Sequence, residues 1–233
     1  MAFHQRSISL PSRPHVSETE VEQEIHRLEA SISSSNSIST MGDGLWSLAN
    51  IYDGLEEIIC LPSKQACSSQ QINMLDGEME CSIELLDLCN TIQETFAEMM
   101  VVIQELQAAL RKGDDAAAQA TIQSFTRLAK KTRKYFKKSI KKAASDKMVM
   151  LLTKAKEVCI SLLESTLHLL SKKIEMPQQS LVCKAFCKKK AVVCKEEQLQ
   201  ELECSIEDLQ NGAGNLFRKL VQNRVSLLNT LSS

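Results

Sequence analysis

The sequence predicts an all-α protein, and three observations carry that prediction. Among 233 residues there are only 7 glycines and 4 prolines, too few for the many turns of a sheet protein. Aromatic residues make up 4%, so the apolar 43% is mostly Leu, Ile, Ala, Met and Val, a mixture that favours helices. Along most of the chain apolar residues recur at spacings of three and four, the period of a helix with one buried face. The expected architecture is an elongated antiparallel helical bundle of about five helices over residues 42–233, with a disordered N-terminal tail. That tail, residues 1–41, is read as including a short acidic helix and a serine linker.

The elements follow in chain order. Residues 1–17 hold no acid and little periodicity, and read as disordered. "SETEVEQEIHRLEA" then starts a helix, with Ser17 as its N-cap, Glu20 closing a capping box, and Val21, Ile25 and Leu28 on one stripe. "SISSSNSIST", residues 31–40, reads as a polar linker. The body begins near Asp43, with Leu45, Leu48, Tyr52, Leu55 and Ile59 on one face and Pro62 as the stop. From about Gln71 to Lys112 a long helix carries Leu75, Met79, Leu86, Phe96, Met99, Ile103, Leu106 and Leu110 at helical spacing. Gly113 suits its C-terminal cap, and Asp114 or Asp115 the N-cap of the next helix.

Between Ala116 and Ala144 there is no acidic residue, and nine of the sixteen positions from 127 to 142 are Lys or Arg. Wound at about 100° per residue, the segment puts Phe125, Leu128, Ala129, Thr132, Phe136, Ile140 and Ala143 on one side. The basic set Arg127, Lys130, Lys131, Arg133, Lys134, Lys137, Lys138, Lys141 and Lys142 falls on the other. Ser145 or Asp146 caps a further helix to about Ile174, apolar on most of its surface and so expected among neighbours, before Pro177. A basic loop with Cys183, Cys187 and Cys194 leads to a last helix, about Lys195 to Leu231. Its apolar positions 199, 202, 206, 209, 213, 216, 220 and 227 keep a three-four alternation, with Asn223 in register. They suit either a closing bundle helix or a homotypic coiled coil that would make a homo-oligomer. The bundle is favoured, because the other long amphipathic helices need partners.

Charge and cysteine usage bound the setting. The balance of 28 basic and 29 acidic residues excludes a uniformly basic nucleic-acid binder, while hiding the local basic block. Nine cysteines, an odd number without a Cys-x-x-Cys pair, and no secretory h-region imply a reducing, cytoplasmic location. The most apolar stretch, "VCISLLESTLHLL" at 158–170, is too short to span a bilayer and contains Glu164 and His168. Plastid targeting is disfavoured, since the Arg- and Ser-rich start is short and poorly amphipathic.

Two segments offer recognition chemistry. "RSISLP" has Arg6 three residues before Ser9, with Ser7 between them and Pro11 after, the form of a phosphoserine motif bound by 14-3-3 proteins. A phosphate on Ser9 would add about −1.5 to −2 charges and three acceptor oxygens for a partner's arginines to clamp. The polybasic helix could meet an anionic membrane surface, or its lysines could be solvated or paired with acids near Glu78, Glu80, Glu94, Glu98 and Glu201. Nucleic acid is disfavoured, because no aromatic residues interleave the basic face for stacking.

Catalysis has little support. There is no Gly-rich phosphate loop, serine elbow or HExxH pair, and His168 in its apolar helix reads as a structural histidine. Cysteines 183, 187, 194 and 204 stand at x3, x6 and x9, which is not a zinc-site spacing. They are expected to be free thiols, with acylation in the basic loop as the alternative. No enzymatic activity, catalytic residue, metal or cofactor is expected.

"MAFHQRSISLPSRPH", "LEEIICLPSKQ", "LLDLCNTIQE", "ELQAALRKGD" and "LFRKLVQNRVSLLNTLS" resemble the plant BYPASS-related family over nearly the whole chain. The stretch "SKQACSS" after Pro62 and the cysteine-bearing basic loop are less typical. The resemblance implies a helical plant protein of root and shoot development with no established enzymatic activity. Combined with the tail, it points to an intracellular interaction or signalling adaptor regulated by phosphorylation. The alternative is a peripheral membrane protein that binds anionic lipid through the basic helix.

Overall fold

The computed structural model describes residues 16–59, 69–138, 147–175 and 188–231, all but a few of them helical. The described residues form six helices: α1 (Glu18–Ser34), α2 (Ile38–Ile59), α3 (Ser69–Lys112), α4 (Asp115–Lys138), α5 (Lys147–Glu175) and α6 (Lys188–Leu231). Among the described residues there is no strand.

Local chemistry sets the helix ends. At the start of α1 the Ser17 hydroxyl accepts from the Glu20 amide at 3.2 Å, and the Glu20 carboxylate accepts from the Ser17 amide at 2.8 Å. This is the expected capping box. Between α3 and α4, Gly113 takes a left-handed φ of 72°. The Gly113 amide donates to the Leu110 carbonyl and the Asp114 amide to the Ala109 carbonyl, a Schellman closure. Asp114 then caps α4 by accepting from the Ala117 amide at 2.9 Å.

Two boundaries differ from expectation. The serine linker contracts to residues 35–37, because α1 continues to Ser34 and α2 begins at Ile38. Ser33 and Ser34 turn their hydroxyls back onto the carbonyls of Glu29 and Ala30, both at 2.9 Å, so neither competes with the helix. Ile32, buried, extends the apolar stripe of α1 by one more turn. In the same way α6 starts at Lys188, inside the segment read as a cysteine-bearing loop.

Side-chain contacts fix the directions. Arg111 of α3 meets Glu196 of α6, while Arg224 of α6 donates to the Met79 carbonyl and Ser82 hydroxyl of α3, so these two 44-residue helices run antiparallel. Each spans roughly 66 Å at 1.5 Å per residue, and the bundle is correspondingly elongated. Gly212 of α6 lies against Leu45 of α2 and, further along both helices, Lys219 pairs with Asp53, so α6 is parallel to α2. Lys156 pairs with Glu84, and Cys159 lies beside Cys89, so α5 is parallel to α3. Consecutive helices alternate up and down.

The helices in contact show the layout. α2, α6, α3 and α5 form a four-helix core, with α1 in the groove between α2 and α5 and α4 in the groove between α3 and α5. Helix α5, apolar on most of its surface, touches all five others, as that composition predicts. One continuous core joins Leu45, Leu48, Phe96, Met99, Leu162 and Leu216, each fully buried, to the stripe of α1. Burial of each such side chain contributes about 1.5–3 kcal/mol. The repeat positions of α6, including Asn223, are buried inside this bundle.

Candidate functional site

The basic helix shows the expected split. Phe125, Ala129, Thr132 and Phe136 are buried against α3 and α5, and the Thr132 hydroxyl shares a 3.0 Å hydrogen bond with Thr95 of α3. On the opposite side Arg127, Lys130, Lys131, Lys134 and Lys137 are exposed. Arg127 bonds Gln123 of its own helix at 3.1 Å. Among the described residues no carboxylate pairs with Lys130, Lys131, Lys134 or Lys137: Glu94 bonds Asn90 and Glu201 pairs with Lys173, while the side chains of Glu78 and Glu80 lie outside the described residues. Tyr135, expected on or beside the apolar side, is 44% exposed at the edge of the basic face, its ring edge-on to Phe136 at 6.1 Å. Lys138 is the last residue of α4 and its side chain lies outside the described residues, as do Lys141 and Lys142. Arg6, Ser7, Ser9 and Pro11 also lie outside them.

Arg133 departs from the set. It is only half-exposed, and it lines a groove with Ile32, Ser35 and Asn36 from the end of α1, and Ser161, Glu164, Ser165 and His168 from α5. The groove has a volume of about 240 Å³ and follows the outward face of α5, which α1 and α4 flank without covering. A neighbouring hollow of about 360 Å³ shares Asn36 and Leu169 with it and continues past Lys172 and Lys173. Within the first hollow, Arg133 Nε and Glu164 Oε1 are shut from solvent and have no hydrogen-bond partner. Leaving such a group unsatisfied costs roughly 1–3 kcal/mol, so this juxtaposition weakens the isolated fold.

Sequence reasoning did not anticipate this groove. His168, expected as a structural histidine, is exposed on its wall. Ser161, Glu164, Ser165 and His168 have the spacing of one helical face, and that pattern was available in the apolar segment as its only polar stripe. What the pattern lacked was knowledge of which helices flank it.

The cysteines sort differently. Cys89 and Cys159 are fully buried, and the neighbouring Cys159 thiol together with burial pushes the Cys89 thiol well up, away from the reactive thiolate. Cys204 is an exposed free thiol. Cys183 and Cys187 lie outside the described residues, as does the side chain of Cys194.

Fold and groove together define an alternating six-helix bundle with a basic outer helix and a polar channel beside it. No helix among the described residues is long and apolar enough to cross a membrane. The family model described as Protein BPS1 matches residues 44–230, and the chain belongs to this plant BYPASS-related family. Membership makes it a plant developmental protein. No curated protein and no solved structure matches the chain. The match begins at Gly44, so α1, which forms one wall of the groove, precedes it.

Proposed function

We propose that this BPS1-family protein acts in root and shoot development by binding rather than by catalysis, docking on anionic membrane surfaces through the outer face of α4. One observation carries the reading: Lys130, Lys131, Lys134 and Lys137 are exposed together on a flanking helix, with no carboxylate partner among the described residues. A solvated face of a bundle helix is normally balanced by neighbouring acids; an unbalanced one attracts polyanions at about 1 kcal/mol for each Lys or Arg near the surface. Tyr135 adds an amphipathic ring of the kind that settles at a headgroup interface.

The N-terminal tail supplies regulation in this reading. A phosphate on Ser9 would recruit a 14-3-3 protein to a cytoplasmic, membrane-apposed bundle, which is the adaptor role. Cosedimentation with vesicles containing anionic lipid tests the docking: binding should fall steeply when the four lysines become Gln, and with added salt. Binding unchanged by those substitutions overturns it. A Ser9-phosphorylated peptide with no more affinity for a 14-3-3 protein than the unmodified one removes the adaptor role.

A further inference from the structure

We propose that the groove on the outward face of α5 binds a phosphorylated polyol, with Arg133 holding phosphate and Glu164 accepting from a hydroxyl. The unpartnered atoms define the ligand. Arg133 and Glu164 line one hollow from adjacent helices, each with a buried atom, Nε and Oε1, that has no partner; a ligand meets those atoms when the two side chains turn into the hollow. A guanidinium matches phosphate oxygens in shape and charge.

The surroundings agree in sign. Helical winding puts Lys130 and Lys137 on the same flank of α4 as Arg133, and Lys172 lines the continuation of the groove. That edge favours an anion. A plain phosphate would be repelled by the Glu164 carboxylate, whereas a ligand with both phosphate and hydroxyl groups satisfies both residues. Ser161 and Ser165, one turn apart on α5, add hydroxyls that donate or accept. Hollows of about 240 and 360 Å³ that share Asn36 and Leu169 leave room for a ring with its substituents. Such a group occurs both as a soluble inositol phosphate and as a phosphoinositide headgroup. Lys130 and Lys137 border both the groove and the docking face, whereas Arg133, Glu164 and the two serines belong to the groove alone and Lys131 and Lys134 to the docking face alone.

Isothermal titration of the full chain with inositol trisphosphate, inorganic phosphate and myo-inositol tests the site. The trisphosphate should bind at least about ten-fold more tightly than either fragment, a difference of one good charge-assisted hydrogen bond. Glu164→Met is the sharpest variant, since it removes the negative charge and the acceptor oxygens together. Simple electrostatics predicts tighter binding; the proposed hydroxyl contact predicts weaker binding, by about ten-fold. Arg133→Gln should weaken the trisphosphate and inorganic phosphate alike. Ser161→Ala, a mild change, serves if either variant fails to fold, and should also weaken the trisphosphate. No binding of the trisphosphate, or binding to Glu164→Met as tight as to the parent, overturns the proposal.

Vesicles resolve the source. Greater capture by phosphoinositide vesicles than by phosphatidylserine vesicles of equal charge assigns the lipid headgroup, and equal capture assigns the soluble ligand; both keep the site. Binding of the trisphosphate without any vesicle binding overturns membrane docking alone. Vesicle binding without trisphosphate binding overturns the groove alone.

Discussion

On its inner face α5 buries Leu162, Leu163, Leu167 and Leu170 completely, while its outer face, a fraction of a turn away, carries Ser161, Glu164, Ser165 and His168. The inner residues meet neighbours at close range: a Cβ placed on Gly44 of α2 would come within 2.9 Å of a Leu162 methyl. The outer residues meet a hollow. Core packing dictates the first set, because any loss of volume there is felt directly. Nothing in folding requires the second, and its Glu164 Oε1, with Arg133 Nε facing it from α4, makes the fold less stable than an apolar surface would. A charged pair placed where folding does not need it is available for binding.

The inner face should give the largest effect. Leu162→Ala removes a fully buried side chain from the middle of the core and should destabilise the protein by about 2–5 kcal/mol in urea denaturation. A loss well under that range would mean that α5 is more loosely held than its burial indicates. Next in size is Gly212→Val on α6. A Cβ there would sit 3.0 Å from the Leu45 Cβ, an atom fixed to the α2 backbone, so overpacking should cost about 1–3 kcal/mol. Gly42→Ala provides the contrast within α2: its added methyl meets nothing within 4 Å, and the helix should gain up to about 1 kcal/mol.

The outer face should respond in the opposite direction. Replacing Arg133 by Met and Glu164 by Leu together removes two unpartnered buried polar atoms, and should leave stability unchanged or raise it by about 1 kcal/mol. A clear drop in the melting temperature of the double variant would show that the pair holds the bundle together, and the contrast between the two faces would fail.

The same contrast explains what was legible in the sequence. Features that depend on a few neighbouring residues could be read directly: the Ser17 and Glu20 box, the Gly113 and Asp114 junction, and the buried stripe of Phe125, Ala129, Thr132 and Phe136. The alternation along α6 was equally clear, and its choice between bundle and coiled coil was decided by how many other apolar faces needed cover. Arg133 was harder. It sits at the edge between the basic and apolar sides of α4, and only the position of α5 turns it toward a groove. The polar stripe of α5 was hidden for a related reason: in an otherwise apolar helix its serines look incidental until α1 and α4 are seen to stop on either side of it. Serines 33 and 34 misled through composition, since a run of serine suggests a linker although each hydroxyl is satisfied within the helix.

The smallest expected effect lies at the far end of α1, the helix that walls the groove. The backbone amide and the hydroxyl of Ser17 both bond the Glu20 carboxylate and hold its pKa below the ordinary glutamate value. A group depressed in the folded state adds stability that is fully present above its unfolded pKa and is lost as the pH falls through the folded one. The advantage of the parent over Glu20→Ala should therefore be constant near neutrality and shrink below the ordinary glutamate range, as read by urea denaturation across an acid series. Because Glu20 is exposed, the difference is small. An advantage that grew on acidification would mean that the box does not hold α1 in place. The wall of the groove formed by Ile32, Ser35 and Asn36 would then need another anchor.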